Sequence, residues 1–291
     1  MTSAPRRTRS RVWEAKRKAA NGTMWIVACT ATVAAVIPLV VILYYVAAHG
    51  LPALNIAFFT QLPKPPGETG GGMANAIVGT LVLVGLASAI GLPIGILGGV
   101  YLAEFGNNRF GWGVRFAADV LAGVPSIVIG ILVWVIVVVP MHSFSALAGG
   151  VALGIMMIPT VMRTTEELVR LVPLSQREAA LSLGATQWRT VFKVVLLAAK
   201  GGIITGVLLA VARIAGETAP LLLTTLGNSF WSTRLDRPIA SLPLQIFQYA
   251  ISPWDDWHAK AWAASLLLVL LITVLSIAAR YVTRGRLRAV R

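Results

Sequence analysis

The chain has 291 residues, of which 57% are apolar and 12% charged, whereas an ordinary soluble domain carries about 25% charged residues. That balance excludes a soluble globular protein and asks for long apolar helices. The net charge of +14 invites a nucleic-acid reading, but the charges sit in short connections between apolar runs, a distribution that suits a membrane surface instead.

In chain order, residues 1–23 form a basic tail, expected to be disordered or to lie on the membrane surface. A hydrocarbon core needs about 20 apolar residues per helical span, and runs of that kind lie at 24–48, 76–103, 120–140, 144–162 and 261–279. A sixth span falls within 194–226, interrupted by Lys200, Arg213 and Glu217. The runs are continuously apolar rather than alternating, so helices are expected and a β-barrel is not. The first run is too long for the 7–15-residue core of a cleaved signal peptide and reads as a retained anchor. Its Cys29 has no partner cysteine and is expected to pack inside the span. The second run carries Gly91, Gly95 and Gly99 four apart, a spacing that lets helix backbones approach closely in lipid. Between 228 and 257, Leu244, Phe247 and Ile251 recur at helical spacing between Pro243 and Pro253, in a segment too short to cross the membrane. Trp254 and Trp257 follow where an aromatic belt would place them.

Charge sets the expected orientation. Nineteen Lys and Arg fall on the N-terminal tail, the second and fourth connections and the C-terminal tail, against four on the opposite side. Both termini are therefore expected in the cytoplasm. The expected fold is all-α and polytopic, with six transmembrane helices: a basic tail at 1–23, one membrane domain at 24–283 with its core at about 70–283, and a second basic tail at 284–291. Basic tails of this kind suit anionic lipid headgroups.

Two stretches carry chemistry. In the fourth connection, Arg177-Glu178-Ala179-Ala180-Leu181-Ser182-Leu183-Gly184 reads as a short helix stopped by a glycine able to take positive φ. In the fifth span, Arg213-Ile214-Ala215-Gly216-Glu217-Thr218-Ala219-Pro220 places two charges where insertion costs roughly 2.5–3.5 kcal/mol each. Four residues apart, Arg213 and Glu217 are expected to share a helix face and to pair. Either the pair is structural, or Arg213 offers a bidentate cation to a passing oxyanion while Glu217 orients it. The Gly-rich approach at 70–72 is followed by no Gly-Lys-Ser/Thr, so it is not a phosphate loop. Any ATP used must bind another subunit.

Glu178-Ala179-Ala180, three residues, then Gly184 resembles the EAA coupling loop of ABC importer permeases. The usual Ile-x-Leu-Pro ending reads Val194, Leu196 and Leu197 here, without the proline. With Gly71-Gly72-Met73-Ala74-Asn75-Ala76-Ile77, Pro125-Ser126-Ile127-Val128, residues 212–220 and Phe230-Trp231-Ser232-Thr233, the chain resembles phosphate ABC transporter permeases of the PstA type over about 70–283.

The resemblance implies a phosphate importer of the inner membrane, with coupling through Glu178, Ala179, Ala180 and Gly184 and a substrate pathway through Arg213, Glu217 and Thr218. It implies no catalysis, cofactor or metal in this chain, with ATP and Mg on an ATPase dimer. A paralogous permease, an extracytoplasmic phosphate-binding protein and membrane lipids are the further partners implied, and no nucleic acid. An ABC permease for sulfate or molybdate remains open. So does a secondary anion transporter, although the inverted repeat usual in that class is not evident.

Overall fold

A computed structural model describes residues 11–287, and these fall into two units, one ending at Ala48 and one starting at His49. The described part of the first lies within α1 (Arg11–Gly50), whose last two residues belong to the second. Residues 11–23, expected as a disordered or surface-lying tail, instead continue the helix, and Arg17 sits over the Trp13 ring at 4.8 Å. Cys29 is exposed along α1 rather than packed.

The second unit continues with α2 (Ile56–Thr60), α3 (Ala74–Glu104), α4 (Arg109–Gly123), α5 (Ser126–Val133), α6 (Val139–Met141) and α7 (Ala146–Arg170). It closes with α8 (Leu174–Ser182), α9 (Gln187–Thr190), α10 (Leu196–Ile214), α11 (Ala219–Thr224), α12 (Leu242–Ala250) and α13 (Asp255–Leu287). Single π-helical segments join α5 to α6 at Trp134–Val138 and α9 to α10 at Val191–Val195. Among the described residues five stretches are long and apolar enough to cross a membrane, and α4 with α5–α6 makes a sixth if that bent pair is one span. This is the expected all-α, multi-pass architecture.

The α3–α7 pair is the spine. A Cβ added to Gly91 would stand 2.8 Å from the Met157 Cβ, one on Gly95 2.8 Å from the Val161 Cβ, and one on Gly99 2.5 Å from the Met162 carbonyl oxygen. The four-residue glycine stripe is thus a close-approach seam, with Leu83, Ala87, Leu153, Met157 and Val161 buried along it. Gly95→Leu is expected to push the helices apart at a cost of about 1–3 kcal/mol, the usual range for overpacking. A lowered thermal midpoint of the purified protein would register it, and an unchanged midpoint would mean the seam can open freely.

Two expected spans differ in detail. The run at 120–140 is not one straight helix: α4 and the α5–α6 run meet at 105°. Pro125 enforces the break, because it disfavours helical backbone at Val124, which sits at φ −69° and ψ 130°. The fifth span runs from Gln187 only to Ile214, then turns through residues 215–218 into the short α11.

The two ends of the bundle differ. At one, Asn75 Nδ2 donates to the Asn228 carbonyl at 2.6 Å, and the Leu242 N–H donates to Thr80 Oγ1 at 2.8 Å. There α12 begins, with Pro243 in its first turn as the sequence suggested. Trp257 stacks on Tyr249 at 4.2 Å, and burial pushes the Tyr249 phenol above its usual pKa. Lys260, 6% exposed, pairs with Asp256 at 2.5 Å and donates to the Gly70 carbonyl, tying that loop to α13. At the other end lie the close of α3, the first part of α4, the foot of α7, and α8.

Candidate functional site: the α8 knuckle and the Arg213 turn

The α8 knuckle follows directly from its sequence. The helix closes in a Schellman motif: the Gly184 N–H donates to the Leu181 carbonyl at 2.9 Å, and the Ala185 N–H to the Ala180 carbonyl at 3.2 Å. Gly184 takes φ +79° to make this closure, and a Cβ there would meet nothing within 4 Å. The constraint at this position is therefore backbone conformation and not crowding. Thr186 then accepts from the Arg189 N–H and starts α9. Ala180 is buried against the bundle, while Glu178, Ala179 and Gly184 are exposed. Leu183, beside them, is 89% exposed, an apolar side chain presented to a partner surface or to solvent.

Arg177 anchors the knuckle. It ion-pairs with Glu104 at the last residue of α3, and its Nη2 donates to the Val169 carbonyl on α7 at 2.8 Å. Both charged side chains are largely buried, so α8 is held to the foot of the α3–α7 spine and moves with it.

Next to this anchor lies a cluster that sequence reasoning counted only as loop charge. Glu166, 3% exposed, accepts from Arg115 Nε at 2.6 Å, pairs with Arg170 at 2.8 Å, and lies 3.5 Å from Arg163. Arg115 also donates to the Leu102 and Gly106 carbonyls, capping the end of α3, and Arg163 bonds Asp119 on α4. The available signal was the spacing of Arg163, Glu166 and Arg170, which three- and four-residue steps place on one helix face.

The second stretch is not assembled as expected. Arg213 is the penultimate residue of α10 and Glu217 lies beyond the helix end, so the two do not share a helical face. Among the described residues no ion pair joins them. The last α-helical bond runs from the Ala215 N–H to the Val211 carbonyl, after which the Gly216 and Glu217 N–H groups close a tighter turn on the Arg213 and Ile214 carbonyls. Arg213 is exposed, and its charge sits in the last helical turn, where the carbonyl end of the helix dipole favours a cation. Thr218, half-buried, opens α11 with its carbonyl accepting from Leu221 at 3.1 Å. α11 then packs on α5 so closely that a Cβ on Gly130 would lie 2.8 Å from the Pro220 Cα. The two sequence stretches at 125–130 and 212–220 therefore meet in space.

Comparison with known proteins decides the family. Residues 95–288 match the family described as "Binding-protein-dependent transport system inner membrane component". The "Phosphate transport system permease protein PstA" of Yersinia pestis is 49% identical over 84% of this chain and 83% of its own length. That of Haemophilus influenzae is 48% identical over 82% and 85%.

The chain belongs to the PstA family of transport permeases.

The permease also resembles a solved structure of the MetNI methionine ABC transporter, with a TM-score of 0.57 and 20% identity over 72% of this chain and 92% of that one. At that identity the likeness speaks for the fold. It agrees with the multi-pass helical bundle built from the sequence, and a permease of this family has a transport role and not a catalytic one.

Proposed function

We propose that this permease is a membrane subunit of an ATP-driven importer of inorganic phosphate in the inner membrane, working by alternating access. The observation that carries the reading is an exposed, glycine-closed α8 knuckle anchored to the α3–α7 spine, in a chain nearly half identical to PstA proteins. The α8 end faces the cytoplasm, with both termini on that side. Glu178, Ala179, Ala180 and Gly184 meet an ATPase dimer that carries ATP and Mg. A paralogous permease completes the pathway, an extracytoplasmic phosphate-binding protein docks at the α12 end, and basic residues contact lipid headgroups. No nucleic acid takes part. Movement of the ATPase pulls α8, and the Arg177–Glu104 pair transmits that pull to the end of α3.

Arg213 serves the substrate pathway. An exposed guanidinium without an ion-pair partner among the described residues can take two oxygens of a passing oxyanion. Glu217 and Thr218, in the turn that follows, flank it. Arg213→Gln is expected to lower phosphate uptake about tenfold, equivalent to about 1.4 kcal/mol, with the complex still assembled. Arg213→Lys should fall between, since an ammonium lacks the planar fork. Equal loss of the complex from the membrane would make the arginine structural.

Uptake of radiolabelled phosphate tests the whole reading, in cells lacking their own high-affinity system and co-expressing the neighbouring subunits. Saturable uptake that needs this chain, ends on ATP depletion and yields to unlabelled phosphate but not to sulfate or molybdate is expected. Competition by sulfate or molybdate would move the substrate to another oxyanion. Uptake that survives ATP depletion would point to a secondary carrier.

A further inference from the structure

The helix α4 presents a face left exposed among the described residues. Trp112, Phe116 and Val120 follow one another at four-residue steps and are 66%, 57% and 52% exposed. The first two rings stack at 5.5 Å with 7° between their planes. Phe110 is exposed as well, and Arg109, at the first turn, and Asp119, at the flank, are the charges among the exposed residues 109, 112, 116, 117, 119 and 120 that make or border this face. The opposite side is committed to protein. Gly111 and Ala118 are buried and Arg115 reaches Glu166, while Asp119, exposed on the flank seven residues from Trp112, bonds Arg163.

Geometry says what lies against the free face. The run from α5 to α6 travels beside the first half of α7: Ile129, Val133 and Val138 pack with Ala148 and Ala152, and Ile155 and Met156 adjoin them. It is therefore aligned with the spine and crosses the membrane with it. α4 makes 105° with that run. It packs on the second half of α7, where Ala118 packs with Leu102 and Met162 and Val114 and Ile158 adjoin them, and Leu121 at its close adjoins the cluster of Ala148 and Ala152. A helix nearly perpendicular to a crossing helix lies close to the membrane plane, and the Arg115–Glu166 and Arg163–Asp119 pairs set it toward the charged end of the spine. Interfacial helices have this make-up, with an apolar aromatic side and a basic residue at the edge, and Trp prefers the headgroup level.

We propose that α4 is an in-plane membrane anchor, with the Trp112–Phe116 stack seated in the headgroup–acyl boundary of the bilayer. Its flanks then hold Arg115 against Glu166 and Asp119 against Arg163. The bilayer surface is thereby coupled mechanically to the foot of α7 and, through Arg177 and Glu104, to the α8 knuckle. This assignment does not depend on which oxyanion is carried.

The test uses the intact complex in nanodiscs of phosphatidylethanolamine and phosphatidylglycerol. Nitroxide labels are placed on Trp112→Cys, Phe116→Cys and the loop control Asn107→Cys, in a Cys29→Ala background. Labels at 112 and 116 should collide with oxygen more than with a water-soluble nickel chelate, at a depth of about 5–10 Å, while the label at 107 should show the reverse. Stronger collision with the chelate at 112 and 116 would put this face in water. Shielding from both reagents would mean that another subunit covers it, and either result overturns the anchor. The unsubstituted complex provides a second measurement. Phosphatidylglycerol carrying a diazirine near its glycerol should cross-link to the peptide containing Trp112 and Phe116. Adducts on α5 and α13 but none on α4 would also reject the proposal.

Discussion

Replacing Glu166 by Gln is expected to destabilise the permease by about 3–5 kcal/mol, the range for breaking a buried ion pair by removing one partner. The carboxylate is 3% exposed and serves Arg115 and Arg170 at 2.6 and 2.8 Å, with Arg163 at 3.5 Å. An amide there would leave these guanidinium groups close together with one fewer negative charge among them. Arg115 would also lose the partner that orients it while it caps the Leu102 and Gly106 carbonyls. The effect should appear as a lower thermal midpoint and a lower yield of intact complex. Asp119→Asn is the comparison: Asp119 is exposed and faces Arg163 alone, so its removal should lower the midpoint far less. Equal behaviour of the two variants would show that the arginines find other anionic partners and that Glu166 is not the keystone of the cluster.

The second large effect is expected at Gly184. A β-branched residue at φ +79° is strained by roughly 1–3 kcal/mol, enough to unmake the Schellman closure and release the end of α8. Gly184→Val should therefore reduce phosphate uptake at least about tenfold, or about 1.4 kcal/mol of lost coupling, while the assembled complex still hydrolyses ATP. Gly184→Asn separates two causes, because Asn tolerates the left-handed region. Near-normal uptake with Asn would place the requirement in the backbone. Loss with both residues, against the open space around this position, would place it in contact with the ATPase. Full transport by Gly184→Val would end the coupling role assigned to α8.

These two sites differ in how openly the sequence displayed them. The α8 knuckle is local: helix formers from Glu178 to Leu183 and a glycine at the stop are enough to specify it, because its closing hydrogen bonds span only a few residues. The Glu166 cluster is not. Its charges come from α4 and α7, 51 residues apart at Arg115 and Glu166, and reading the arginines as loop charges missed that α7 extends beyond the expected end at 162.

The Arg213 stretch failed for the opposite reason. Its four-residue spacing implied one helix face, but the chain leaves the helix at Ile214, where the Ala215–Thr218 turn and the packing of Pro220 on Gly130 take over. Spacing predicts neighbours only while the helix lasts.

Composition and the distribution of charge determined the class of this protein, since burying continuous apolar runs in lipid leaves the backbone no alternative to helices. The glycine stripe at 91, 95 and 99 likewise announced a close helix contact, because only the absence of a Cβ permits that distance. Tertiary structure alone decided which helix fills the seam, where the third span bends, and which arginines share Glu166. Those outcomes depend on contacts between residues far apart in the chain, and no local propensity encodes such contacts.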